Sequence, residues 1–113
     1  MYAVVLTTVN SRDAAERIAD ELLGRRLAAC VQILGPITSK YWWRGKIERS
    51  EEYLIFIKSR SDLYDELETC LREVHPYEVP EIVLLPVKRG LEEYLGWLDS
   101  SVRRTGECVE DSR

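Results

Sequence analysis

The chain has 113 residues and a net charge of −4, with 45% hydrophobic and 32% charged residues. That length fits one domain whose core hides roughly 65% of the unfolded surface, without needing disulfide staples. The acidic balance excludes the basic footprint of a nucleic-acid-binding domain, and no apolar run approaches the ~18 residues of a membrane span.

Residues 2–9 (YAVVLTTV) form a near-continuous apolar and β-branched run, which predicts a strand buried on both faces. Asn10 and Ser11 then offer helix caps, and Asp13 suits the positive end of the helix dipole. Ala14, Ala15, Ile18, Ala19, Leu22 and Leu23 follow at helical spacing, and Gly24 marks the end. Residues 27–41 read as a long extended segment, with a bulge or bend expected at Gly35-Pro36 because proline cannot donate to a ladder. Trp42 and Trp43 continue it, Arg44-Gly45 is a tight turn, and residues 46–58 return as a second long strand. In that strand Ile47, Tyr53, Ile55 and Ile57 share one parity, and Leu54 and Phe56 the other.

Ser61 is placed to cap a second helix, whose stripe is Leu63, Leu67, Cys70, Leu71 and Val74. Pro76 closes this helix, since the residue before proline is pushed out of the helical region. Residues 81–87 (EIVLLPV) predict a strand at a sheet edge, where Pro86 is tolerated. Gly90 opens a short last helix carrying Tyr94, Leu95, Trp97 and Leu98. From Arg103 the chain is polar and is expected to fray, so the domain is read as residues 1–102 with a tail at 103–113.

The order β-α-β-β-α-β plus a terminal helix predicts an α+β, ferredoxin-like fold, with helices on one face of an antiparallel sheet. The other face carries aromatic and β-branched residues and needs a cover, which makes the chain oligomeric in expectation. The N-terminus shows neither a basic n-region nor a small-residue cleavage site, so the expected compartment is the cytoplasm. Cys30, Cys70 and Cys108 are too few and too widely spaced for a disulfide framework or a C-x-x-C metal site, and His75 is the only histidine.

Four stretches carry a resemblance: RRLAACVQI (25–33), YWWRGKIE (41–48), HPYEVPEIVLLPV (75–87) and YLGWL (94–98). In this order and spacing they resemble the CutA divalent-ion-tolerance family, over nearly the whole chain up to Val102. The resemblance implies a compact homotrimer, with the long hairpin strands pairing between subunits and the last helix closing the assembly. It also implies tolerance to divalent metals, copper prominent among them. Animal relatives are linked to the anchoring of acetylcholinesterase. Some relatives carry a further cysteine in the first strand, where this chain has Thr7 and Thr8, so a site built on that thiol is absent here. Cys108 lies outside the matched region.

Three residues are candidate metal ligands. The imidazole of His75 suits Cu(II) or another borderline divalent cation, and the thiols of Cys30 and Cys70 suit softer ions. The competing reading is structural: His75 as a helix stop, and both cysteines as small buried hydrophobes. A second group (Trp43, Lys58, Tyr77 and Glu81, beside Trp42 and Tyr94) has the composition of an inter-subunit ligand cleft, or of plain trimer packing. The acidic runs Glu51-Glu52, Glu66-Glu68 and Glu92-Glu93 read as solvated faces, with a weak surface cation site at any of them as the alternative.

The leading expectation is a trimeric, non-catalytic protein that binds copper or a similar divalent cation, with no organic cofactor, nucleic acid or membrane partner. The alternative is a small-ligand sensor or protein-anchoring scaffold using the cleft, by likeness to PII-type signalling trimers. An enzyme is not expected. The loop after the first strand, TVNSRD, lacks the glycines of an acylphosphatase-like phosphate cradle, and no nucleophile–base pair is evident.

Overall fold

The computed structural model describes residues 1–107. Its elements in chain order are β1 (Tyr2–Val9), α1 (Arg12–Gly24), β2 (Cys30–Trp43), β3 (Lys46–Arg60), a 3₁₀ turn (Ser61–Leu63), α2 (Tyr64–Val74), β4 (Val83–Val87) and α3 (Glu92–Ser101). The four strands make one sheet in the order β2-β3-β1-β4, with every neighbouring pair antiparallel.

Local chemistry explains most boundaries. The Ser11 hydroxyl accepts the Ala14 N–H at 3.1 Å, capping α1. Arg44 (φ 50°) and Gly45 (φ 79°) both lie in the left-handed region, the signature of a two-residue type I′ hairpin. The ladder between β2 and β3 shifts register between Leu34 and Ile37, where Gly35-Pro36 interrupts it. Pro86 sits on β4, an edge strand that pairs with β1. The second helix departs from expectation: Ser61 opens the 3₁₀ turn, and α2 begins at Tyr64 with no side-chain cap.

The core lies between the helices and one sheet face. Val5, Val9, Ile55 and Ile57 meet Ala14, Ala15, Ile18 and Leu22 of α1 and Leu67, Cys70 and Leu71 of α2. The opposite face of β1 is half covered, against the expected burial on both sides: Tyr2, Val4 and Leu6 alternate with buried Ala3, Val5 and Thr7. Cross-strand pairing aligns Leu85, Val4, Lys58 and Cys30 in one row of that open face, and Val83, Leu6, Phe56 and Gln32 in the next. Leu85 is 50% exposed and Leu34 56%.

The segment after α3 is held down where a frayed tail was expected. The Arg103 N–H donates to the Arg26 carbonyl at 2.8 Å, and its guanidinium pairs with Glu66 at 2.9 Å. Arg60 donates to the Arg103 carbonyl and to Asp62, and Thr105 donates to Asp62. The rest of the tail, with Cys108, lies outside the described residues.

Candidate functional site

His75 follows the last residue of α2. Pro76 excludes the helical region for it, and its backbone turns to φ −79°, ψ 134°. That turn carries the imidazole beneath β1, where the residue is only 8% exposed. Nε2 lies 2.9 Å from the Thr8 carbonyl and 3.1 Å from the Thr7 hydroxyl. Nδ1 accepts the Tyr77 backbone N–H at 3.1 Å. A backbone N–H can only donate and a carbonyl can only accept, so these partners assign the neutral tautomer with hydrogen on Nε2. Burial pushes the imidazole pKa below its ordinary value; the Thr8 carbonyl and the Glu52 charge oppose that shift.

Tyr77 is held at three points. Its N–H bonds to His75, its ring lies 4.9 Å from the imidazole, and its hydroxyl donates to Glu52 at 2.7 Å. Desolvation, then the Glu52 bond and charge, push the phenol well above the ordinary tyrosine range. Glu52 is itself only 8% exposed. Reading Glu51-Glu52 as a solvated pair misses this residue. The signal that finds it is parity: Glu52 shares the face of Leu54 and Phe56, while Glu51 points the other way.

Beside this lock runs a cleft of about 810 Å³ between the β2–β3 hairpin and the loop that follows α2. Its walls include Tyr41, Trp43 and Tyr77, with the carboxylates Glu48, Glu52, Glu78 and Glu81. Of the predicted cleft residues, Trp43, Tyr77 and Glu81 come together here. Lys58 does not join them: it pairs with Val4 and Cys30 further along the strands, and its ammonium lies 5.6 Å from the Tyr94 ring centroid.

The three predicted metal ligands do not converge. Cys70 is buried in the core on α2, and burial pushes its thiol pKa up, which disfavours the ligating thiolate. Cys30 is half-buried in a row with Lys58, on the open side of the sheet. Both ring nitrogens of His75 are already engaged, so a metal at Nδ1 would displace the Tyr77 N–H. Among the described residues, no three His, Cys, Asp or Glu side chains are grouped to hold a metal ion. The set His75, Cys30 and Cys70 thus does not fit a metal site within one chain.

Sheet, helices and cleft together define a small α+β protein with an acidic, aromatic-walled groove beside its long hairpin. Comparison with known proteins gives the family. The profile of the CutA1 divalent ion tolerance protein matches residues 3–101. The chain is 42% identical over 102 residues to a divalent-cation tolerance protein CutA of Archaeoglobus fulgidus, covering 90% of this chain and 99% of that one. It is equally identical to a chloroplastic Protein CutA 1 of rice, of which it spans 58%. Among solved structures, the divalent cation tolerance protein (Cut A1) of Thermus thermophilus superposes with a TM-score of 0.89 at 42% identity, covering 91% of this chain and all of that one. The rice CutA1 crystal structure gives a TM-score of 0.88, covering 90% of this chain and 94% of that one. The chain belongs to the CutA1 divalent ion tolerance protein family.

Proposed function

We propose that the protein serves divalent-cation tolerance as a non-catalytic homotrimer of ferredoxin-like subunits, taking up copper or a similar divalent cation at its acidic cleft. The observation that carries this reading is the charge of the cleft: Glu48, Glu78 and Glu81 line a groove whose cation is Lys40, and they draw cations to it without forming, among the described residues, a closed ligand set within one chain. Such a wall concentrates cations electrostatically. Carboxylate oxygens suit hard ions, while copper stands highest in the divalent affinity order, so competition among metals is part of the test. Trimer formation fits the half-covered sheet face, where Leu85 and Leu34 stand about half exposed.

The test is calorimetric titration of Cu(II), Zn(II) and Mn(II) into the full chain carrying Cys108→Ser. The expected result is saturable binding that weakens at least about tenfold in Glu48→Gln/Glu81→Gln. Binding should stay the same in His75→Asn. Absence of saturable heat, or indifference to the paired substitution, would overturn the cleft as the cation site.

The aromatic walls favour a second reading. A cleft of about 810 Å³ lined by Tyr41, Trp43 and Tyr77 lies in the size range of small-molecule pockets. A PII-like ligand sensor, or a scaffold gripping a partner side chain there, would bind a nucleotide or peptide with metal absent. The same titration with those ligands separates the two readings.

A further inference from the structure

The loop of residues 75–82 forms one wall of the cleft, and Tyr77 ties it to the His75 imidazole and to Glu52. We propose that His75 is a proton-operated latch that holds this loop closed while its ring is neutral and releases it when the ring takes a second proton.

The argument is geometric. Tyr77 N–H points at Nδ1 across 3.1 Å, and this backbone group has no acceptor form. The opposite nitrogen faces the Thr8 carbonyl at 2.9 Å, which has no donor form. One tautomer of the neutral ring satisfies both. A second proton must go to Nδ1, where it sets two donors head to head and places a charge in a pocket only 8% exposed. The Nε2 side gains a charge-assisted bond to Thr8, but the Nδ1 side loses its bond and repels. The Tyr77 amide is the group that must move.

The groups facing the ring are few. β1 contributes Thr7 and Thr8, which do not titrate. β3 contributes the Glu52 charge, which favours the imidazolium. The loop contributes the Tyr77 phenol, engaged with Glu52. The opposing Glu52 charge is outweighed by burial, since the imidazole pKa falls. Release therefore begins below the ordinary histidine value of about 6.5. The hydroxyl bond to Glu52 remains as a second tether, so the loop loosens at Tyr77 while the fold persists.

Asparagine at position 75 offers the control. Its side-chain oxygen can accept the N–H two residues on, as in an Asx turn, and it does not titrate. The latch does not rest on the cation reading, and its test contains no metal. Amide hydrogen exchange of residues 77–82, corrected for intrinsic chemistry, is followed by NMR from about pH 7.5 to about pH 5, together with the His75 ring shifts. The expected result is protection at Tyr77 falling about tenfold, the loss of one hydrogen bond, in step with ring protonation. His75→Asn should be flat across the range. Ring protonation without a change in exchange would overturn the latch, and so would an equal response in His75→Asn, which would assign the trigger to a carboxyl group. If His75→Asn fails to fold, the wild-type correlation between ring shift and exchange decides alone.

Discussion

The Tyr77 hydroxyl donates to the Glu52 carboxylate across 2.7 Å, joining the loop after α2 to the middle of β3. Glu52 is almost fully buried, and Tyr77 is the hydrogen-bond donor to it. A buried carboxylate stripped of its donor bears the full desolvation cost. Tyr77→Phe should therefore lower stability by about 1.5–3 kcal/mol. Glu52→Gln keeps an acceptor and removes the charge, so it should cost less. Urea denaturation at fixed protein concentration checks both.

The same tyrosine predicts behaviour in alkali. Tyr64 bonds to Glu68 at 2.6 Å, and that bond with burial pushes its phenol up to about 12. Tyr77 is pushed higher still, by burial and Glu52. Because the folded state holds these protons more tightly, their contribution to stability is fully present below the unfolded value of about 10. It is lost as pH rises from there through the folded values. Thermal midpoints should fall above about pH 10, and the last tyrosinate absorbance to appear should vanish in Tyr64→Phe/Tyr77→Phe.

Helix spacing, turn chemistry and the parity of β3 were legible in the sequence because each is local, whereas the continuous apolar run of β1 hid its alternation. Ser11, Pro76 and the Arg44-Gly45 turn act on neighbours within a few residues. The site was legible as residues and not as contacts. His75 stands out as the lone histidine, yet its partners Thr7 and Thr8 lie 68 and 67 positions away. Lys58 shares a parity with Glu52, but strand length separates them, and parity alone reports only the face. Ser61 had the right chemistry for a cap and lost to the 3₁₀ turn, where Asp62 is engaged by Arg60 and Thr105.

Gly35 is a second close approach. A side chain there would place its first carbon 2.8 Å from the Tyr53 ring and 3.0 Å from the Glu52 carbonyl, on a backbone at φ +153°. The Glu52 carbonyl is backbone and cannot swing aside. Gly35→Ala should cost about 1–3 kcal/mol and disturb the strand that carries Glu52. Denaturation gives the cost, and loss of protection at Tyr77 would report the disturbance.

The strap after α3 depends on Asp62, whose carboxyl is held well below its ordinary range, first by Arg60 and then by Thr105. Its folded pKa is depressed, so its contribution is present above the ordinary value of about 3.9 and is lost as pH falls below it. The side chain is 49% exposed, which limits the pair to under about 1 kcal/mol. Asp62→Asn should leave global stability nearly unchanged while raising amide exchange at Arg103 and Gly106. A large drop in thermal midpoint would instead show that the strap supports the core.

The half-covered sheet face bears on assembly. Leu85 and Val83 stand at its β4 edge, Leu6 and Phe56 fill its centre, and Leu34 lies at its β2 edge. If copies of the chain associate over this face, Leu85 becomes buried, and a lysine there would carry an unpaired charge into an apolar contact. Leu85→Lys should then lower the sedimenting mass from that of the proposed trimer towards that of the monomer at micromolar concentration. Leu23→Lys, on the outer side of α1 where Leu23 is already 41% exposed, should leave the assembly intact. The contrast matters because each substitution adds a similar charge to an exposed leucine; only the face differs. Equal sedimentation of the two variants and the wild type would place the subunit contact elsewhere, with the unpaired edge of β2 as the next surface to test.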